Sequence, residues 1–347
     1  MEDSKITLLN ANTLELHYWF NDITHSMDAV VQNKCEQEFL AILNEIAKSF
    51  NVEILIETEP IAEGGIIRWF KINLKNKKQS ATIITALITA LATGIIITPI
   101  GTSLSEIGKQ AIEKIFSDKE LKELEKELLK ENIKNSKEDT KVKELEQKKI
   151  EEEIKNIRLD SELKIQGLSS NRIIPKRKSN FYDTLDKYPK VKQVSLIIAD
   201  ENKNQIAEEL FIQRCKFKEF ILVSDELDPI EDENAIIEII SPVLKKGDYQ
   251  WRGIYKGESL SFNMKSNEFK TLVQTGKIEF KNGSSIDCFL EIKRKMDNNG
   301  YEKIIERNII RINNYFENDT PIETPEGKRY RQKQEAEKLQ YKLDFTE

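Results

Sequence analysis

Residues 81–100, ATIITALITALATGIIITPI, lie inside a stretch from Gln79 to Ser105 that has no charged side chain, in a 347-residue chain that is 33% charged. As a helix this segment has the roughly 20-residue length that crosses a hydrocarbon layer of about 30 Å. Its apolar residues run around every face instead of along one stripe, which reads as a transmembrane helix; a helix buried inside a globular domain has the same composition and is the alternative. Thr82, Thr85, Thr89 and Thr93 recur every three or four residues beside Ala86, Ala90 and Gly94. In lipid, a side of small residues is where helices approach closely, so the segment predicts self-association.

The flanks extend this reading. Before the apolar run, Trp69 and Phe70 stand among Arg68, Lys71, Lys75, Lys77 and Lys78, which is headgroup chemistry and places the N-terminal side in the cytoplasm. Behind the charged opening Met1–Lys5, an internal run reads as an anchor and not as a cleaved leader. After it, Pro99 and Gly101 break the helix, and 102–117 is amphipathic. Ser103, Glu106, Gln110 and Glu113 fall on one stripe beside Leu104, Ile107, Ala111 and Ile115. Such a helix either lies on the membrane surface or lines a water-filled path in several copies, with Ser103, Glu106, Gln110 and Glu113 as pore-lining residues. A re-entrant hairpin of 81–98 and 102–117 keeps both flanking regions in the cytoplasm.

The remaining chain divides by pattern. Residues 1–78 form a small α+β domain, with strands at 14–20 and 51–58 around a helix at 24–50. Residues 79–117 are the membrane segment. Residues 118–166 are a Lys/Glu-rich helical stalk of coiled-coil composition, interrupted at 135–140. Residues 167–190 read as a basic linker punctuated by Pro175 and Pro189. A mainly-β regulatory domain spans 191–316, interrupted by one helix that Ser266 caps, and 317–347 is a charged tail. The expected fold class is therefore an α+β membrane protein with a transmembrane helix or hairpin, coiled-coil-like helices and a C-terminal mainly-β domain.

Positive charge and flat rings coincide twice. Arg172, Lys176, Arg177 and Lys178 precede Phe181 and Tyr182, and Arg252 and Lys256 surround Trp251. Charge for phosphates and rings for bases make these seven residues, Trp251 included, the candidate site for an anionic nucleotide or single-stranded oligonucleotide. Catalytic signatures are missing: there is no Walker A loop, strand-linked GxGxxG, HExxH, GxSxG or zinc spacing. Cys35, Cys215 and Cys288 are too scattered for a disulfide framework. Only His17 and His25 exist, and a His25/Ser26/Asp28 trio is read as a helix N-terminus, capped by Thr24 or Ser26. No enzyme, cofactor or metal is expected.

Two sets of segments carry a resemblance. HSMDA (25–29) with EGGIIRWF (63–70), and WRGIYKGESLSFNMKSNEF (251–269) with KIEFKNG (277–283), resemble bacterial membrane effectors of antiviral defence, nearest to the channel of Hailong-type systems. That resemblance implies a homo-oligomer in the bilayer, with a tetramer as one arrangement, controlled by a DNA oligomer or nucleotide from a partner nucleotidyltransferase. The expected function is an oligomeric membrane channel or membrane-disrupting effector. A membrane-anchored coiled-coil scaffold without conductance is the alternative.

Overall fold

The computed structural model describes residues 11–22, 26–58, 66–75, 81–92, 99, 155–156, 159–160, 162–281, 283–317 and 320–343. The chain forms two compact units: residues 1–223 with 298–301, and residues 224–297 with 302–347.

In the first unit a five-stranded antiparallel sheet has the order β2-β3-β1-β4-β5, from β1 (Thr13–Phe20), β2 (Ile54–Thr58), β3 (Ile66–Leu74), β4 (Val191–Ala199) and β5 (Leu210–Gln213). Helix α1 (Ala29–Ser49) joins β1 to β2, and helix α3 (Ile173–Asp186) precedes β4. The first four strands with these two helices give the β-α-β-β-α-β connectivity of ferredoxin-like sheets. Alternation in β1 decides which face the helices cover. Leu14, Leu16 and Tyr18 are buried, facing Cys35, Phe39, Ile42, Leu43 and Ile46 at helical spacing along α1. On the same side the Arg68 guanidinium grips the Glu36 carboxylate with two hydrogen bonds, of 2.6 and 2.8 Å. Asp28 caps α1 by accepting from the backbone N–H of Val30 and Val31, so the cap is two to four residues later than the sequence suggested.

The expected membrane span is corrected here. Residues Ala81–Ala92 form helix α2, 12 residues long, and no helix among the described residues is long and apolar enough to cross a membrane. Ala86, Leu87, Ile88, Ala90, Leu91 and Ala92 belong to the same core cluster as α1 and the sheet. The helix is apolar all round because it is buried all round, the alternative its composition had left open. The Thr/Ala side expected to drive assembly is used inside the fold: Thr85 and Thr89 are buried, and the Thr89 hydroxyl donates to the Thr85 carbonyl at 2.8 Å. Trp69, Phe70 and Arg68, expected at a headgroup layer, are residues of strand β3.

The amphipathic helix at 102–117 and most of the 118–166 stalk lie outside the described residues. No coiled coil is found among the described ones. Helical residues 162–170 send Ile165 and Leu168 into the first unit's core.

The second unit is a barrel. Its strands are β6 (Glu226–Ser241), β7 (Trp251–Tyr255), β8 (Glu258–Met264), β9 (Ser285–Met296) and β10 (Glu302–Glu317), with helix α4 (Asn267–Gln274) between β8 and β9. Long β6 pairs with both β7 and β9; β10 pairs antiparallel with β9 and parallel with β8 through Asn308↔Asn263 and Ile309↔Met264. The circuit β6-β7-β8-β10-β9 thus closes, leaving no open edge among these five strands. Register shifts in β6 at Leu227/Ile230 and Asp232/Ala235 bend it from one partner to the other. This is the connectivity of OB-type barrels. Trp251, Phe262 and Phe269 fill the core with Ile237, Leu290 and Ile309. Positive φ at Lys256 (51°) and Gly257 (85°) makes the two-residue turn between β7 and β8. Short β11 (Thr320–Glu323) pairs with the end of β10, and helix α5 (Pro325–Leu343) follows.

Candidate functional site

The connection from β6 to β7, residues 242–250, walls a cleft of about 260 Å³. Lys245, Gly247, Asp248 and Tyr249 come from this loop; Asn263 and Lys265 from the end of β8; Lys270 and Gln274 from α4; Glu306 from β10. Three lysines and two acidic residues are among those that line it.

Each element positions its part. The Gln274 side-chain amide donates to the Lys245 carbonyl at 3.2 Å, tying loop to helix. Ser266 caps α4 by accepting from the Phe269 N–H at 3.1 Å, which fixes the first turn beside Lys265 and Lys270. Gly247 has φ +141°, and a Cβ there would sit 2.8 Å from the Tyr249 ring, so the ring lies against a glycine backbone. Tyr249 nevertheless leaves 61% of its surface to solvent. Asn263 donates to the Asn308 side-chain carbonyl at 3.1 Å, while the Asn308 amide donates to Glu291 and Glu306 at 3.0 and 3.2 Å, building a fixed polar wall. Trp251 forms the floor, 1% exposed.

Such an arrangement has the side-chain types that suit an anion beside a flat ring. Lysines act as mobile point charges toward phosphate, and an exposed tyrosine ring offers a stacking surface that any base can use. The volume is just below the usual 300–1,000 Å³ of ligand pockets, so one nucleotide-sized group of a longer chain fits better than a large cofactor. Among the described residues no group of three or more His, Cys, Asp or Glu is arranged to hold a metal ion.

No protein-family description, curated protein or solved structure matches this chain. The site therefore stands on its own side chains.

The ligand residues expected from sequence are not gathered at one place. Arg172 occupies the N-cap position of α3, where the Asn171 side chain instead accepts from the N–H groups of Ile173 and Ile174. Lys176 and Lys178 are buried in that helix, and Arg177 pairs with Glu38 at 3.1 Å. Burial lowers the Lys178 pKa to about 8, with its ammonium 5.7 Å from the Phe220 ring centre. Phe181 and Tyr182 pack with Phe217 and Phe220 in the core. The 167–190 segment is thus largely a packed helix, not a linker.

In the second unit Trp251 lines the cleft only as its floor, and Arg252 is exposed on β7. Lys256 sits at the hairpin tip, 3.4 Å from Asp232, whose carboxyl is held below its ordinary range first by the Tyr255 hydroxyl. Ser103, Glu106, Gln110 and Glu113 lie outside the described residues. Sequence reasoning missed Lys245 and Tyr249, although Lys-Lys-Gly-Asp-Tyr at 245–249 is a basic pair, a turn and a ring in five residues. Lys265 and Lys270 become their neighbours through the β7–β8 hairpin and the helix that follows it.

Proposed function

We propose that the protein binds single-stranded nucleic acid or a short anionic oligonucleotide, with the barrel cleft as its site. The observation that carries this is the convergence of Lys245, Lys265 and Lys270 on a cleft whose lip is the exposed Tyr249 ring. OB-type barrels bind oligonucleotides and oligosaccharides beside the corresponding connection; that is an analogy of fold and adds to the side-chain argument without replacing it. The resemblance to defence effectors supplies a source for such a ligand, an oligomer made by a partner nucleotidyltransferase. Conduction through 81–100 is not carried forward, because α2 is part of the core.

Fluorescence anisotropy of a labelled oligo(dT) with the full chain tests the reading. Replacing Lys245, Lys265 and Lys270 by Ala is expected to weaken binding by roughly 100-fold at low salt, from ~1 kcal/mol per lost charged contact. The slope of log K against log salt should become shallower by about 2, since each single-strand phosphate contact contributes ~0.7. Unchanged affinity and slope would remove the cleft from the binding site.

A further inference from the structure

The polar wall of the barrel cleft has a fixed hydrogen-bonding sense. Asn308, on β10, is 1% exposed, and its side-chain nitrogen donates to carboxylate oxygens of Glu291 and Glu306 at 3.0 and 3.2 Å. A carboxylate only accepts, so this nitrogen cannot exchange places with the amide oxygen. The Asn308 oxygen is thereby turned to Asn263, whose own amide nitrogen must donate to it, at 3.1 Å. One buried side chain thus orients two that line the cleft. The Asn263 oxygen and the second Glu306 oxygen have no donor among the described residues.

These two acceptors belong to a cleft that Lys245, Lys265 and Lys270 suit to an anion. A carboxylate repels phosphate, so its place there favours a ligand that brings N–H donors as well as negative charge. A nucleotide whose base carries an amino group has both.

The bases differ in what they ask of such a wall. Cytosine offers an amino group with two N–H hydrogens, for which a carboxylate is the fitting acceptor. Adenine sets a ring-nitrogen acceptor beside its amino group and is matched by an asparagine or glutamine free to donate and accept at once. Asn263 has already turned its amide nitrogen to Asn308. Uracil and thymine carry a carbonyl where cytosine has its amino group, which would set oxygen against oxygen.

We propose that the cleft is a cytosine-selective subsite, in which the Glu306 carboxylate and the Asn263 oxygen accept from the base amino group and Asn308 is the positioning residue for both. This rests on the reading of the cleft as a nucleic-acid site and names the base it prefers. The lysines and the Tyr249 ring hold phosphates and a base face without regard to sequence. The two acceptors supply the choice, and because Asn308 fixes them beforehand, little ordering is needed when the base arrives.

The test compares unlabelled oligo(dC) and oligo(dU) of equal length as competitors for labelled oligo(dT) on the full chain at low salt. The two differ only at the pairing edge of the base, so length, charge and ring size cancel. Oligo(dC) should compete about 10-fold better. Glu306→Gln keeps the side-chain length: its carbonyl can accept from Asn308, which leaves its amide nitrogen to face the cleft as a donor. In that variant oligo(dU) should bind more tightly than it does to the parent, and the preference for oligo(dC) should disappear.

Equal competition by oligo(dC) and oligo(dU), with both weakened when the three lysines are replaced, overturns cytosine selection and leaves the cleft standing as a backbone-binding site. A preference that survives Glu306→Gln, an equal tightening of both oligomers in that variant, or oligo(dA) competing as well as oligo(dC) also overturns it. Binding of neither oligomer, or binding that replacement of the three lysines does not change, overturns the cleft reading itself and the selection with it.

Discussion

Leu87→Ala is expected to destabilise the first unit by about 2–5 kcal/mol, and Leu87→Asp to prevent it from folding. Leu87 is 0% exposed at the middle of α2, in one core with Phe39, Phe70 and Leu16. Removing its branched end leaves a cavity that close-packed neighbours only partly fill. A carboxylate there would be desolvated among apolar groups. Denaturant unfolding followed by far-UV circular dichroism measures the first variant, and limited proteolysis the second. A helix whose side chains met lipid would leave the unfolding midpoint of the surrounding sheet unmoved in Leu87→Ala.

Lys178 carries the second large effect, and its sign is opposite to that of a surface lysine. Burial holds its ammonium pKa at about 8, against about 10.4 in the unfolded chain. Between those values the unfolded state binds more protons, so stability rises with pH from about 8 to about 10.4; below 8 the cost of burying the charge is present in full. That cost amounts to roughly 3 kcal/mol at 1.36 kcal/mol per pKa unit. Lys178→Met should therefore exceed the parent in stability at pH 7 by up to that amount, with the two converging near pH 10.5. A difference independent of pH would show that the Lys178 ammonium is not desolvated.

Much of the local structure was legible. The β character of 14–20 located β1, and Ser266 followed by an apolar repeat located α4, because both signals are local. The reading of 81–92 as part of a membrane span failed for a physical reason: a helix apolar on every side has one composition whether lipid or protein surrounds it. The linker reading failed because Pro175 and four cations look like a break. Pro175 is in fact in the first turn of α3, where its missing N–H is not needed. The boundary at 190 failed because strand pairing is non-local. β4 and β5 follow the basic segment in sequence, yet β4 pairs with β1, placing the division between the units at Val223 and Ser224. The cleft was missed because the 242–250 loop and α4 meet only when β7 and β8 pair.

Photocross-linking tests that meeting most directly. An oligo(dT) carrying 5-iododeoxyuridine, irradiated with the full chain, is digested and mapped by mass spectrometry. Adducts at Tyr249, lost when Lys245, Lys265 and Lys270 are replaced by Ala, are the predicted result. Adducts that fall only outside the cleft, or adducts at Tyr249 that persist without the three lysines, would contradict the barrel cleft as a nucleic-acid site.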